Sequence, residues 1–224
     1  MLSCFVMKKV DICALYSILR REVASYRATA IDEIAMQTDD PFKALVSTML
    51  SARTKDETTS TAAERLFSRV KTLADLEDMA VGEIEGLIYP VGFYKTKASH
   101  LKSLPGSIRE EFNNRIPDSV DELVRLPGVG RKTANLVVAA AFKKPAICVD
   151  THVHRIMNRL GYVKTKTPLQ TEMMLRKKLP RNYWITINSL LVSFGQNICR
   201  PISPHCSSCP ISRHCNRIGV RRSR

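Results

Sequence analysis

The sequence contains no long hydrophobic run and no secretory signal. Its longest strongly apolar stretch, residues 136–142, is far shorter than the roughly 20 residues that a membrane-spanning helix needs. The amino-terminal residues 1–7 are apolar, but Lys8, Lys9 and Asp11 follow at once, without a small-residue cleavage site. We therefore expect no membrane association and a reducing compartment, in which thiols stay free to bind a metal.

Acidic residues are scarce relative to basic ones. The chain has 21 Asp and Glu against 35 Lys and Arg, and its formal net charge is +14. Such an excess is typical of proteins that bind a polyanion, with nucleic acid the first candidate and an anionic membrane surface the second. Hydrophobic residues make up 44% of the 224 positions, which is enough for a core and excludes a disordered chain.

Strand patterns are nearly absent, and residues 146–149 form the only short β-like run. Elsewhere the pattern is helical. An Asp-Pro helix start precedes residues 42–50, in which apolar side chains recur at 3.6-residue spacing. Capping-box sequences at residues 72–75 and 119–122 predict two further helix starts. We predict an all-α fold.

Four cysteines lie close together near the carboxyl end with the spacing C-x6-C-x2-C-x5-C, at Cys199, Cys206, Cys209 and Cys215. Thiolates are soft ligands that select zinc or iron–sulfur clusters over hard cations. Unpaired cysteines or two disulfides are the alternative, and a reducing compartment disfavours disulfides. The spacing leaves zinc and a [4Fe–4S] cluster both open, because His205 and His214 stand beside ligand cysteines and allow a mixed zinc site.

A glycine-containing string, LPGVGRKTA at residues 126–134, predicts a tight turn between two helices. Gly128 and Gly130 allow positive φ and a close approach of backbone N–H groups to an anion. The next helix, expected to begin near Arg131, adds the partial positive charge of its amino terminus. The string therefore predicts a phosphate cradle that reads no bases; an ordinary helix–helix turn is the alternative.

Two residues close to predicted helix starts carry possible chemistry. Lys132 lies in the first turn after the glycine turn, where the helix dipole and Arg131 favour its neutral, nucleophilic amine; a simple phosphate contact is the alternative. Asp150 follows the apolar run and precedes a helical pattern. It can cap that helix and still face a substrate, where it would stabilise a cationic transition state.

Three motifs together resemble the endonuclease III family of helix-hairpin-helix DNA glycosylases: residues 126–134, the string VDTH at 149–152, and the four cysteines. The resemblance extends over about residues 30–215. It implies two helical domains with the active site in a cleft between them. A six-helix barrel would occupy residues 34–143, with the helix-hairpin-helix at about 119–142. An iron–sulfur cluster domain would comprise residues 1–33 and 144–224.

The resemblance also implies a function. The chain would be a bifunctional glycosylase that removes oxidised pyrimidines from double-stranded DNA and cleaves abasic sites by β-elimination. Lys132 would form the Schiff base, Asp150 would be the catalytic aspartate, and the four cysteines would bind a [4Fe–4S] cluster. We expect a monomer in the cytoplasm of a prokaryote, associated with the nucleoid.

A further set of residues is expected to contact DNA: Arg53, Phe93, Gly128, Gly130, Arg131 and His152. Phe93 stands where the family often has a leucine that wedges into the base stack. Arg53 stands where the family commonly has glutamine, which fills the gap left by the flipped nucleotide. The segment 200–205 is less basic than the family's usual phosphate-binding loop.

Two other functions stay open. A mismatch-specific monofunctional glycosylase is the nearer one. Adenine-removing relatives usually carry a catalytic glutamate in the segment corresponding to residues 48–52, and thymine-mismatch relatives typically have tyrosine at the position of Lys132; neither feature is present. The other is a non-catalytic, metal-stabilised DNA-binding protein, which the combination of Lys132 and Asp150 disfavours.

Overall fold

The computed structural model describes residues 9–26 and 40–224, and all regular secondary structure in these ranges is helical. The prediction of an all-α fold is confirmed, and the β-like run at residues 146–149 is a connecting segment without strand structure. None of the helices in the described ranges has the length and apolarity needed to cross a membrane. The helices are α1 (Ile12–Val23), α2 (Pro41–Ser51), α3 (Asp56–Arg69), α4 (Leu73–Asp78), α5 (Val81–Ile88), α6 (Tyr94–Phe112), α7 (Val120–Leu123), α8 (Arg131–Ala140), α9 (Thr151–Leu160), α10 (Pro168–Lys178) and α11 (Ile187–Asn197).

The chain divides into two compact units. Of the residues that the structure describes, 40–146 form the hairpin unit, and 9–26 together with 147–224 form the cysteine unit. The domain boundaries predicted from the sequence lie at 33/34 and 143/144. The first of these lies outside the described residues, and the second falls a few residues before the division at 146/147.

The hairpin unit contains helices α2 to α8, whose apolar faces share one core. Helix α2 begins as predicted: the Asp40 carboxylate accepts a hydrogen bond of 2.9 Å from the Phe42 backbone N–H, and Pro41 takes the first helical position. The apolar positions predicted to face the core are all buried: Phe42, Leu45, Val46, Met49 and Leu50. The capping box that starts α4 is also present, with both Thr72 and Asp75 side chains bonded.

The hairpin itself consists of α7, the loop 124–130 and α8. The Ser119 hydroxyl accepts a hydrogen bond of 3.3 Å from the Glu122 backbone N–H at the start of α7. Every residue of α8 from Ala134 to Ala139 is buried. This burial anchors α8 in the core and fixes the loop that precedes it.

The cysteine unit is built around helix α9. Helix α11 packs against both α1 and α9, and α9 also packs against α10. The core of the cysteine unit is separate from that of the hairpin unit and includes Phe194 and Trp184. The indole N–H of Trp184 donates to the Leu179 carbonyl at 2.9 Å. Beyond α11 the chain has little regular structure, so local folding there depends on side-chain contacts around the cysteines.

Candidate active site and metal centre

The hairpin loop depends on glycine at only one of its two glycine positions. Gly128 has φ +73, and an added Cβ there would lie 2.4 Å from Nδ1 of His100 on α6. Gly130 has φ −86 and does not use the positive φ that glycine allows. A Cβ on Gly130 would meet no atom within 4 Å, which leaves the loop open on the side where α8 begins.

The amino terminus of α8 has no side-chain cap, because its N-cap residue is Gly130. Its first backbone N–H groups therefore have no capping side chain, and an anion can take that place. Lys132 is exposed in this first turn. Arg131 lies 3.6 Å from the Asp121 carboxylate on α7 and is partly exposed. This helix start can bind a phosphate and present an amine to the same ligand.

Asp150 is the N-cap of α9, as predicted. Its Oδ1 accepts hydrogen bonds from the backbone N–H groups of His152 and Val153, each at 2.9 Å. Among the described residues, its other oxygen, Oδ2, has no hydrogen-bond partner. The preceding residues 146–149 are buried and anchor the backbone. The carboxylate is thus fixed through one oxygen and has the other available for a ligand.

His152, predicted to contact DNA, is tied into the cysteine unit. Its Nδ1 lies 3.0 Å from Nη2 of Arg155. A guanidinium can only donate, so Nδ1 is the acceptor and the ring proton resides on Nε2. Arg155 also donates to the carbonyls of Gly195 at 3.2 Å and Cys199 at 2.8 Å. The helix that Asp150 caps is therefore connected to the first cysteine of the cluster motif through Arg155, which sequence reasoning missed.

Arg53 and Phe93 are brought together. The Arg53 guanidinium lies 5.4 Å from the centre of the Phe93 ring, and Phe93 is 61% exposed. Their backbones have φ of +55 and +59, a region that non-glycine residues seldom occupy. Both residues were predicted to contact DNA, but no sequence pattern indicated that they touch each other. Lys97, which was given no role from the sequence, bonds through its buried ammonium to the loop that carries Arg53.

The four predicted ligand cysteines line one cavity, part of which is open to solvent. None of them forms a disulfide. The rest of the wall is largely apolar and includes Ile156, Phe194 and Ile211. His205 also lines this cavity, and its buried Nε2 has no hydrogen-bond partner among the described residues. His214 is not part of the lining.

Burial disfavours free thiolates in this cavity, and hydrogen-bond donors face two of its sulfur atoms. Burial raises the pKa of Cys209 to about 11 and also raises that of Cys215, because desolvation disfavours a thiolate. A bound metal offsets this penalty and drives proton release. Arg159 Nη1 donates to the Cys199 sulfur at 3.4 Å, and the Arg217 backbone N–H donates to the Cys215 sulfur at 3.3 Å. Within the described ranges, no three His, Cys, Asp or Glu residues are grouped so that they could hold a metal ion.

Comparison with protein families matches residues 46–181 to the model described as HhH-GPD superfamily base excision DNA repair protein. Among curated proteins, the chain is 48% identical to an endonuclease III of Thermotoga maritima, in an alignment covering 79% of this chain and 83% of the relative. It is 44% identical to the chloroplastic endonuclease III homolog 2 of Arabidopsis thaliana, over 78% of this chain. The match spans about half of that longer protein, 47%.

Among solved structures, the chain is again similar to an endonuclease III. The chain is 32% identical to the protein in a trapped endonuclease III–DNA covalent intermediate, with a TM-score of 0.81. The match covers 94% of this chain and 97% of that one. The likeness therefore extends over nearly the whole of both chains.

Proposed function

Because the chain belongs to the endonuclease III family within the HhH-GPD superfamily of base excision DNA repair proteins, we propose that it is a bifunctional DNA glycosylase. It removes oxidised pyrimidines from double-stranded DNA and cleaves the resulting abasic site. The observation that carries the proposal is the exposed Lys132 at the uncapped amino terminus of α8, directly after the glycine turn.

Lys132 is the nucleophile. Its neutral amine attacks the anomeric carbon of the damaged nucleotide, and the base departs with the electrons of the glycosidic bond. The C1′–O4′ bond then breaks, O4′ takes up a proton, and the opened sugar is left as a Schiff base with Lys132. This Schiff base makes the C2′ proton acidic. Removal of that proton expels the 3′ phosphate by β-elimination and cuts the strand. The open amino terminus of α8 supports this role, because bound phosphate there would place the sugar close to the first helical turn.

Asp150 stabilises the positive charge that develops on the sugar as the glycosidic bond breaks. Its Oδ1 is held by two backbone N–H groups, which leaves Oδ2 for the substrate. A carboxylate fixed in advance needs no reorganisation in the transition state.

Recognition of DNA rests on charge and on the open loops. The net charge of +14 attracts the DNA backbone. Gly130 and Arg131 contact phosphate at the start of α8, next to Gly128, and His152 contacts DNA at the start of α9. Arg53 and Phe93 enter the duplex and help to extrude the damaged base, whose weak stacking makes flipping easier. One chain supplies all of these groups, so we propose that the enzyme acts as a monomer.

The four cysteines hold a [4Fe–4S] cluster. The four thiols line one cavity and are soft donors of the kind that such a cluster takes. When bound, the cluster supplies a rigid cross-link for a segment with little regular structure. Arg155 and Arg159 bond to backbone carbonyls at residues 195–201 and transmit that rigidity to α9.

The proposal is tested by borohydride trapping on two duplexes, one with thymine glycol and one with an abasic site, against an undamaged duplex as control. A covalent complex with both damaged duplexes is expected. Excision without any trapped complex would indicate a monofunctional glycosylase. Binding without excision would indicate a non-catalytic DNA-binding protein. Either result would overturn the proposal.

A further inference from the structure

Lys97 is a buried cation that the proposed chemistry does not use. It lies on α6 and is 8% exposed. Its ammonium donates three hydrogen bonds, to the carbonyls of Leu50 at 2.7 Å and Ala52 at 2.6 Å and to the hydroxyl of Thr54 at 3.2 Å. All three acceptors belong to the end of α2 and the loop after it, more than 40 residues away in sequence.

The acceptors show what the ammonium does locally. The last carbonyls of a helix have no partner within the helix, and α2 ends at Ser51. Lys97 satisfies two carbonyls at this end and places a positive charge near the negative end of the helix dipole. The Thr54 backbone N–H also donates to the Ser51 carbonyl at 3.1 Å, so a local turn and a side chain from another helix together fix the path of the chain after α2.

The same loop is joined to the segment that carries Phe93. The Thr54 hydroxyl accepts a second hydrogen bond, 3.2 Å, from the Gly92 backbone N–H. An added Cβ on Gly92 would lie 2.5 Å from the Arg53 carbonyl oxygen. The two backbones are therefore in direct contact, and Arg53 and Phe93 extend from the two sides of that contact.

Both exposed residues have backbone conformations that need support. Arg53 and Phe93 have positive φ, which for a non-glycine residue persists only when the surroundings hold it. The bonds from Lys97 and Thr54 supply that support on both sides. Burial lowers the pKa of Lys97 to about 8, which leaves the ammonium largely charged at pH 7 and its bonds charge-assisted.

We propose that Lys97 is a positioning residue for base extrusion: by fixing residues 50–54 against Gly92, it holds Arg53 over Phe93 in the arrangement that enters the DNA stack. Lys97 touches neither DNA nor the reacting atoms. This inference rests on the proposed role of Arg53 and Phe93.

The test is a mutant cycle in the full-length chain. Lys97→Met keeps the length of the side chain and removes its donors. It is made in the wild-type background and in an Arg53→Ala, Phe93→Ala background. Lys102→Met is the matched control, because Lys102 also lies on α6 and also donates to a distant backbone carbonyl, that of Glu77. The readouts are single-turnover excision of thymine glycol, fluorescence of a neighbouring 2-aminopurine as a report of base extrusion, and circular dichroism at the assay temperature.

In the wild-type background, Lys97→Met should slow excision and extrusion by about tenfold or more, since small misplacements of such groups carry large rate losses. In the Arg53→Ala, Phe93→Ala background it should change either rate by less than about twofold, because coupled residues act through one another. Lys102→Met should leave both rates unchanged. If Lys97→Met does not fold, Thr54→Val replaces it, with a smaller loss and the same dependence on background.

A folded Lys97→Met protein that excises at the wild-type rate overturns the inference. So does an equal loss in both backgrounds, which would mean that Lys97 acts by another route. Wild-type excision by the Arg53→Ala, Phe93→Ala protein would overturn the role of that pair and of Lys97 with it. Trapping by Lys132 would then still occur, so failure of the inference is distinguished from failure of the proposed chemistry.

Discussion

Gly128 and His100 are packed so closely that a side chain at position 128 would collide with the His100 side chain. A Cβ there would lie 2.4 Å from His100 Nδ1 and 3.1 Å from its Cβ. The Cβ of His100, and not only its ring, therefore crowds the space beside Gly128. Since Gly128 also has φ +73, two separate physical reasons require glycine in this loop, whereas Gly130 meets neither condition.

Gly128→Ala should therefore destabilise the protein by roughly 2–4 kcal/mol, from left-handed backbone strain and overpacking together. Gly130→Ala, the matched control, should cost at most about 1 kcal/mol and should instead weaken DNA binding by roughly tenfold, about one lost backbone contact. Urea unfolding and fluorescence anisotropy on an abasic duplex measure the two effects. Equal stability losses in both variants would contradict the assignment.

Lys132→Ala should abolish the borohydride-trapped complex and leave DNA affinity within about tenfold of wild type, because one phosphate-type contact contributes little beside a nucleophile. Lys144→Ala, which removes an exposed lysine paired with Asp118, is the control and should trap normally. Trapping at the normal rate by Lys132→Ala would show that another amine forms the Schiff base.

Asp150→Asn should keep the fold, because asparagine caps a helix about as well as aspartate. It should lower base excision by roughly a hundredfold or more, the size expected for a lost electrostatic group, and affect cleavage of a preformed abasic site much less. Asp11→Asn is the matched control, since Asp11 caps α1 through the Cys13 and Ala14 N–H groups. Equal losses on both substrates would exclude this division of labour.

Cys206→Ser should yield protein that lacks the absorption band at about 400 nm that thiolate-bound iron–sulfur clusters show. A serine oxygen replaces a soft thiolate poorly, and metal binding supplies folding energy, so thermal stability and DNA affinity should fall together. Cys13→Ser changes an exposed cysteine outside the cavity and should leave the spectrum intact. A colourless Cys206→Ser protein with wild-type stability and activity would show that the cluster is dispensable.

The stability conferred by Lys97 should depend on pH. Its pKa in the folded chain is lowered by burial from 10.5 to about 8, so between these values the unfolded chain holds more protons. Raising the pH across this window therefore favours the folded wild type. The free energy of unfolding of wild type relative to Lys97→Met should be flat from pH 6 to 7 and increase from about pH 8 toward 10.5, as measured by urea titration. A difference that falls over this range would contradict the lowered pKa.

Helix starts, core faces and the cysteine motif were predictable from the sequence, because each depends on residues within a few positions of one another. Local hydrogen bonding explains the Asp40 and Thr72 caps, and 3.6-residue periodicity explains the buried face of α2. The start of α8 follows from the glycine turn directly before it. The cysteine thiols as metal ligands, and the spacing between them, are likewise evident from one short stretch of sequence.

The tertiary structure decided what depends on distant segments. The contact of Arg53 with Phe93, the burial of Lys97 beneath the end of α2, and the His100 ring against Gly128 each join separate elements. Arg155, too, acquires its role only where α9 meets α11 and the first cysteine. The local sequence does not indicate such partners, because the exposure and hydrogen bonding of a side chain depend on which distant segments pack against it.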